Sequence, residues 1–339
     1  MKTVCFGEIM MRLNPEGYYR IRQANRFDVS YAGGEANVAV SLANYGIHSC
    51  FVTKLPEHEV GQSAVDSLRR YGVDTSLILR GGDRIGLYFV EKGASQRASK
   101  VIYDRKYSAV ALSSPEEYDW GKIFEDCGWF HITGITPALS DSLAEASLAA
   151  CREAKKRGIT VSCDLNYRKK LWTREKAREV MGTIMPYVDV CISNEEDASD
   201  VFGIRAPGSD AGKGILNKEG YRYAAEELCR RFGCRTASFT LRTSISASDN
   251  KWAGMLYQDG REYYSREYTI HIVDRVGGGD SFGAGLIYAM QKGLSCQETI
   301  EFAAAASCLK QTMEQDFNLV SEQEVEGILN GGGTGRVQR

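Results

Sequence analysis

A mostly parallel β-sheet covered by helices on both faces, with a small separate β-sheet as a lid, is the α/β fold that the sequence predicts. Three observations carry this. From residue 129 onward, short apolar runs alternate with stretches of helical period, the signature of parallel strands joined by crossover helices. Residues 84–92 and 100–106 form two β-like runs with only a polar loop between them, so they pair antiparallel and stand apart from that sheet. Residues 10–32 are irregular and rich in aromatic residues and arginine, with alternation over residues 27–31. This excursion supplies the first strands of the lid, whose segments span residues 10–32 and 84–108. Residues 1–330 then form one domain, and residues 331–339 read as a flexible tail.

Taken in order, residues 3–7 read as a buried strand. Gly33 and Gly34 precede a helix carrying Ala39, Val40 and Ala43, stopped at Gly46. Residues 49–54 form a strand and 61–71 a helix ended by Gly72. After the lid strands come strand 129–133 and a helix over 140–157, with Leu143, Ala146, Ala150 and Ala154 on one face. Strand 159–165, helix 174–187, strand 188–193 and a short helix to Phe202 follow. Residues 203–220 are glycine-rich and polar and read as an exposed insertion. Helix 221–232 and strand 236–241 lead to a hairpin pairing 252–258 with 261–268. Two last helices complete the core, one following Gly277-Gly278-Gly279 and one over 297–312. In such a sheet, ligands bind at the carboxyl ends of the strands.

Composition narrows the function. The net charge is −2 over 339 residues, with lysines and arginines spread along the chain, which excludes a nucleic-acid or membrane-surface footprint. No apolar run approaches the roughly 20 residues that span a bilayer, and the start runs directly into a strand, so no signal peptide is expected. Ten cysteines with no C-x-x-C pair suit reduced thiols in the cytoplasm. Four scattered histidines argue against zinc. A G-x-G-x-x-G fingerprint is absent, since Gly7 is followed by Glu8, Ile9 and Met10. The spacing around Gly208, Gly212 and Lys213 does not make a Walker loop, and there is no G-x-S-x-G elbow.

The chemistry concentrates in residues 274–285, D-R-V-G-G-G-D-S-F-G-A-G. Glycines let the backbone approach a ligand, and a helix N-terminus presents unpaired N–H groups and the positive end of its dipole. Gly277, Gly278 and Gly279 thus make a hollow for an anion such as a phosphate. Asp280 places a carboxylate where a phosphate would be welcomed. Either it takes a proton from an attacking hydroxyl beside the amide-lined hollow, or it is an ordinary N-cap after a glycine turn. Gly33 and Gly34 carry the same ambiguity: close approach by a ligand, or a plain turn with Glu35 favouring the helix dipole.

Gly33, Gly34 and Asn37 near the start, with the glycine stretch ending in Asp280 near the end, resemble the two signatures of ribokinase-like (pfkB-type) carbohydrate kinases. The resemblance covers essentially the whole chain, and it implies a three-layer αβα sandwich with a β-lid. Further segments are similar to the subgroup that acts on 2-keto-3-deoxygluconate: Gly86-Leu87-Tyr88, Tyr103 to Lys106, Gly134 to Ala138, and Asp164 to Arg168 followed by Leu171-Trp172. The resemblance implies ATP-dependent phosphorylation of the C6 hydroxyl of that sugar acid, with Mg2+ as cofactor and Asp280 as catalytic base, ionised at neutral pH because the reference aspartate pKa is ~3.9. Gly33, Gly34, Asn37, Tyr88, Tyr103, Arg105 and Arg168 would then contact the sugar acid. The two arginines suit its carboxylate, since a guanidinium fork meets it bidentately. Asn166, Asn194, Arg242 and Gly277 to Gly279 would face the nucleotide. Asp197 would reach magnesium through water, and Asp274 is a candidate for a monovalent cation. Paired lids would cover their own strand edges, which favours a dimer.

The chain departs from the family pattern in three places. Residues 241–246 read L-R-T-S-I-S where glycines are common. The Asn194 to Asp197 segment ends in the shorter acid. Arg275 and Gly278 replace the commoner Thr and Ala. Two rivals stay open: a fructokinase-like kinase of a neutral ketose, and a non-catalytic sugar- or nucleotide-binding homologue.

Overall fold

The structure is a computed structural model that describes residues 1–209 and 217–331. In chain order, the first half of the chain runs β1 (Lys2–Phe6), β2 (Met10–Asn14), β3 (Asp28–Ala32), α1 (Gly34–Asn44), β4 (Ser49–Val52), β5 (Lys54–Leu55), α2 (Glu59–Arg69), β6 (Leu79–Arg80), β7 (Gly86–Glu91), β8 (Lys100–Asp104), α3 (Trp120–Ile123), β9 (Cys127–Thr133) and α4 (Asp141–Lys156). It continues with β10 (Thr160–Asp164), α5 (Arg174–Ile184), β11 (Val190–Ser193), α6 (Glu195–Phe202), α7 (Lys218–Phe232), β12 (Thr236–Ser244), β13 (Asp249–Gln258), β14 (Arg261–Tyr264), β15 (Tyr268–His271), α8 (Gly278–Gln291), α9 (Cys296–Lys310) and α10 (Glu322–Leu329).

The central sheet has the order β14-β13-β12-β11-β10-β9-β1-β4, with β15 also paired to β13. From β4 to β12 every pairing is parallel, and the pairings of β13 are antiparallel. Alternation along a strand sends successive side chains to opposite faces, and β1 illustrates it. Val4 and Phe6 join the core beneath α3 to α7, whereas Cys5 joins the core beneath α1, α2, α8, α9 and α10. Phe6 packs edge-on against Tyr118 and Trp120, at 4.9 and 5.1 Å between ring centroids. Each fully buried side chain of this size contributes about 1.5–3 kcal/mol. With apolar cores on both faces, the strands read as apolar runs in the sequence.

The predicted lid is a four-stranded sheet of order β3-β2-β7-β8. β7 and β8 pair antiparallel as expected, while β2 and β7 are parallel. The lid is tied to the core by charge. Arg12 on β2, fully buried, bonds the carboxylates of Asp274 (2.5 Å) and Asp316, and Tyr88 on β7 donates to Asp316 at 2.8 Å.

Several elements differ from expectation. The second arm of the predicted hairpin is two short strands, β14 and β15, because the chain leaves the ladder between Tyr264 and Tyr268 and rejoins β13 farther along. β12 continues to Ser244, carried by its long pairing with β13. Helix α10, opened by a Ser321–Glu324 capping box, and the short β5–β6 pair carry too little periodicity to be read from sequence. The predicted insertion is shorter than expected: α7 begins at Lys218, capped by Asn217. Residues 210–216 of that stretch and residues 332–339 of the predicted tail lie outside the described residues. Among the described residues no helix is long and apolar enough to cross a membrane.

Candidate active site

The N-terminus of α8 sets the geometry. Its N-cap, Gly277, has φ 82°, a left-handed conformation that a residue with a Cβ adopts only at a cost. A Cβ there would also lie 2.2 Å from the Asp316 carbonyl oxygen. Gly279, one position into the helix, is open: nothing lies within 4 Å of where its Cβ would be. Asp280 follows in the first turn, and its Oδ2 accepts from Asn37 Nδ2 at 2.6 Å. Asn37 belongs to the first turns of α1, so two helix N-termini meet at this carboxylate. On the α1 side, a Cβ on Gly33 would lie 1.8 Å from the Glu8 carbonyl oxygen. Glu35 is buried and its Oε1 accepts from Thr133 N (3.0 Å), Thr133 Oγ1 (2.8 Å) and Thr136 Oγ1 (2.7 Å). It therefore anchors α1 to the end of β9 rather than serving only the helix dipole.

A cavity of about 640 Å³ opens above the carboxyl ends of β1, β10, β11 and β12. It is lined by Gly33, Gly34, Asn37, Tyr88, Tyr103, Arg105, Asn166, Arg168, Asn194, Asp197, Arg242, Gly277, Gly278, Gly279 and Asp280. Residues from Gly33 to Asp280, at opposite ends of the chain, thus face one space. Tyr88 and Tyr103, paired across β7 and β8, stack at 6.0 Å between centroids. Asn166 sits at φ 39° and turns back to hydrogen-bond Asp164. Asn194 caps α6, its Oδ1 accepting from Asp197 N at 2.8 Å and its Nδ2 donating to Asp197 Oδ2 at 2.9 Å.

The two arginines expected to share a carboxylate are not equivalent. Arg105 is buried and already paired: its Nε donates to Glu8 Oε2 at 2.7 Å, and Nη2 bonds the same oxygen. Ser108 Oγ donates to the other Glu8 oxygen at 2.6 Å. Arg168 donates only to the neighbouring Tyr167 carbonyl, at 3.2 Å, and among the described residues no carboxylate lies within ion-pair distance of it. Asp274 does not line the cavity. Its carboxylate is taken by Arg12, and its carbonyl oxygen accepts from the Lys310 ammonium at 3.1 Å. The expected cation position is therefore already faced by two of the protein's own cations.

Burial dominates the titration of the acids. It pushes Asp280 up to about 6, against the opposing hydrogen bond from Asn37, so this carboxylate does not keep its reference value. Burial lifts Asp197 to about 7, opposed by the Arg168 charge. It raises Asp164 well above the usual carboxylate range, with Asp197 adding repulsion. A cation near Asp197 and Asp164 would relieve that cost.

Sequence reasoning missed the weight of Arg275 and Glu8. Arg275 lines the cavity beside Arg242, and its Nε and Nη2 are buried without a hydrogen-bond partner. Burial and then the Arg242 charge lower its pKa. Unpaired guanidinium N–H groups facing a cavity next to a second arginine and an amide-lined helix terminus fit a polyanion such as a nucleotide phosphate chain. Arg275 was visible as a departure within the glycine motif. Glu8 was visible only as the second residue after β1. Among the described residues there is no cluster of three or more His, Cys, Asp or Glu that could hold a metal, so a divalent ion would depend on the phosphates for most of its ligands.

Comparison with known proteins agrees with this architecture. The family model of pfkB family carbohydrate kinases matches residues 1–220 and 250–318, and the chain belongs to that family. It is 33% identical to the 2-dehydro-3-deoxygalactonokinase of Haloferax volcanii over 98% of both chains. The crystal structure of 2-dehydro-3-deoxygluconokinase from Thermotoga maritima superposes with a TM-score of 0.94 at 50% identity, covering 98% of this chain and 100% of that one. A putative ribokinase II from E. coli, solved with ATP and Mg2+, shares the fold at a TM-score of 0.81 and 19% identity, over 97% of this chain and 99% of that one.

The raised Asp280 pKa has a kinetic consequence. For Asp280 acting as a general base, which must be ionised, kcat/KM of the kinase is expected to fall about tenfold per pH unit below about 6 and to level off above it. Initial rates from pH 4.5 to 8.5 measure this; a profile flat down to pH 4.5 would contradict it.

Proposed function

We propose that this chain is a kinase that transfers the γ-phosphoryl group of ATP to the C6 hydroxyl of 2-keto-3-deoxygluconate. The observation that carries the reading is the Asp280 carboxylate at the mouth of the amide-lined hollow, with a sugar-sized cavity beside it. The names of the two relatives at 33% and 50% identity, 2-dehydro-3-deoxygalactonokinase and 2-dehydro-3-deoxygluconokinase, support the substrate class.

In the forward step the C6 oxygen attacks the γ-phosphorus and its proton passes to Asp280. The new O–P bond forms as the bond to the ADP oxygen breaks. Asn37 holds the carboxylate in position. The N–H groups at the start of α8, with Arg275 and Arg242, balance the charge of the transferring group. Magnesium bound with the nucleotide would supply further neutralisation; Asp197 would hold it through water, and Asn166 and Asn194 would face the nucleotide. Arg168, lacking an ion pair, binds the substrate carboxylate, and Arg105 supports it from its Glu8 pair. Tyr103 presents its ring and hydroxyl to the sugar, whereas Tyr88, whose hydroxyl donates to Asp316, presents its ring. Closure of the lid over residues 10–32 and 84–108 excludes water and limits ATP hydrolysis. The ten cysteines are all free thiols, as suits a cytoplasmic enzyme.

Three measurements test this. ATP-dependent phosphorylation across 2-keto-3-deoxygluconate, its galacto epimer and fructose should favour a keto-deoxy acid; preference for fructose would support the neutral-ketose rival, and no turnover of any sugar the non-catalytic one. Asp280→Asn should lower kcat about 10²–10⁴-fold while calorimetry finds sugar-acid affinity nearly unchanged; near-normal kcat would remove Asp280 as the base. Arg168→Ala should raise KM for the keto acid about 10- to 100-fold and leave KM for ATP close to wild type; equal effects on both would contradict the carboxylate assignment. We also propose a dimer through the lid, whose strands expose Val29 and Ile102 at 52% and 51%. Light scattering should give twice the chain mass, reduced to the monomer by Val29→Lys with Ile102→Lys; a monomeric wild type would end that proposal.

A further inference from the structure

We propose that the ammonium of Lys310 is a built-in monovalent cation that holds the phosphate-binding loop in place, so that phosphoryl transfer proceeds without an alkali-metal ion. The inference rests on the kinase reading above and adds a positioning residue to it.

Lys310 is the last residue of α9 and is fully buried. A buried amine is costly unless its N–H groups are satisfied and its charge is balanced. Its Nζ donates to the carbonyl oxygens of Gln315 at 2.6 Å and Asp274 at 3.1 Å. Backbone carbonyls from separate segments converging on one positive point form the kind of environment that can replace the hydration shell of an alkali ion. Here a covalently tethered charge occupies it. Burial draws the Lys310 pKa down, and the nearby carboxylates of Asp274 and Asp316 act in the opposite direction.

The two carbonyls belong to the segments that define the hollow. Asp274 opens the loop leading to Gly277, Gly278 and Gly279. Gln315, at φ 66°, and Asp316 form the turn on which Gly277 rests. Lys310 therefore joins the loop to its support. The bonded groups pair two cations, Arg12 and Lys310, with two carboxylates, Asp274 and Asp316, both bonded by Arg12, and the nearby Asp280 adds its field at Lys310. An additional alkali ion would leave an uncompensated positive charge in a buried site.

The test is the salt dependence of the wild-type enzyme and of Lys310 variants. Wild-type kcat should agree within about twofold in potassium, sodium and tetramethylammonium chloride at equal ionic strength. Lys310→Met should lower kcat about 10- to 100-fold, as expected for a displaced loop, with a smaller change in KM for the sugar acid, and Lys310→Arg should recover part of the loss. Lys310→Ala, which leaves room for an ion, should be partly restored by added potassium or methylammonium, a response that a merely structural role would not give. A wild type that loses about tenfold or more in tetramethylammonium, or a Lys310→Met enzyme with normal kcat, would overturn the proposal. If the variants do not fold, the wild-type salt series decides alone. If no sugar is phosphorylated in any salt, the kinase reading fails separately. The affinity for Mg2+ with a non-hydrolysable ATP analogue then decides: equal values in potassium and tetramethylammonium support the built-in cation, and potassium-dependent binding refutes it.

Discussion

The contact between Gly277 and the turn at residues 315–316 constrains the whole site. Gly277 can take its left-handed conformation and lie against the Asp316 carbonyl only because it has no Cβ. That placement aims the first turn of α8 into the cavity and delivers Asp280 to Asn37 on α1. The same turn receives Arg12 and Tyr88 from the lid through the Asp316 carboxylate. One short segment therefore supports the glycine loop and anchors the lid sheet. A displacement there would misplace the Asp280 carboxylate and the first-turn amides of α8 together, and geometric errors of about 1 Å are costly in catalysis.

Charge in the cavity is divided according to which groups are already satisfied. Arg105 and Arg12 are buried and paired with carboxylates, so much of their charge is spent inside the protein. Arg168 and Arg275 are cavity residues without carboxylate partners among the described residues, and Arg275 retains unpaired N–H donors. Removing a charge from water without a partner is expensive, and a site that holds such groups in place is organised to receive an anion. The acids follow the complementary rule. Burial raises Asp280, Asp197 and Asp164, which brings the first two into the range where a proton or a cation changes their state.

Fold class and motif positions were legible because they rest on local signals. The alternation of apolar runs and helical stretches reflects a sheet with a core on each face. The glycines at 33–34 and 277–279 stand out because few other residues fit such backbone approaches. What escaped was short or non-local. Helix α10 and the split of the hairpin into β14 and β15 depend on packing and pairing partners far away in the chain. Arg105 looked as available as Arg168, because the Glu8 that claims it lies 97 residues earlier. Asp274 looked like a cation ligand, because Arg12 and Lys310 reach it only in the folded chain.

The sequence by itself determined the order of strands and helices, the lid, and the two glycine-rich turns that bracket the site, since periodicity and backbone permissiveness act over a few residues. Only the tertiary structure decided which charges remain available for ligands. The pairing of Glu8 with Arg105, of Arg12 with two aspartates, and of Lys310 with two backbone carbonyls depends on segments brought together by the cores, and electrostatic energies depend on distance and burial rather than on position along the chain.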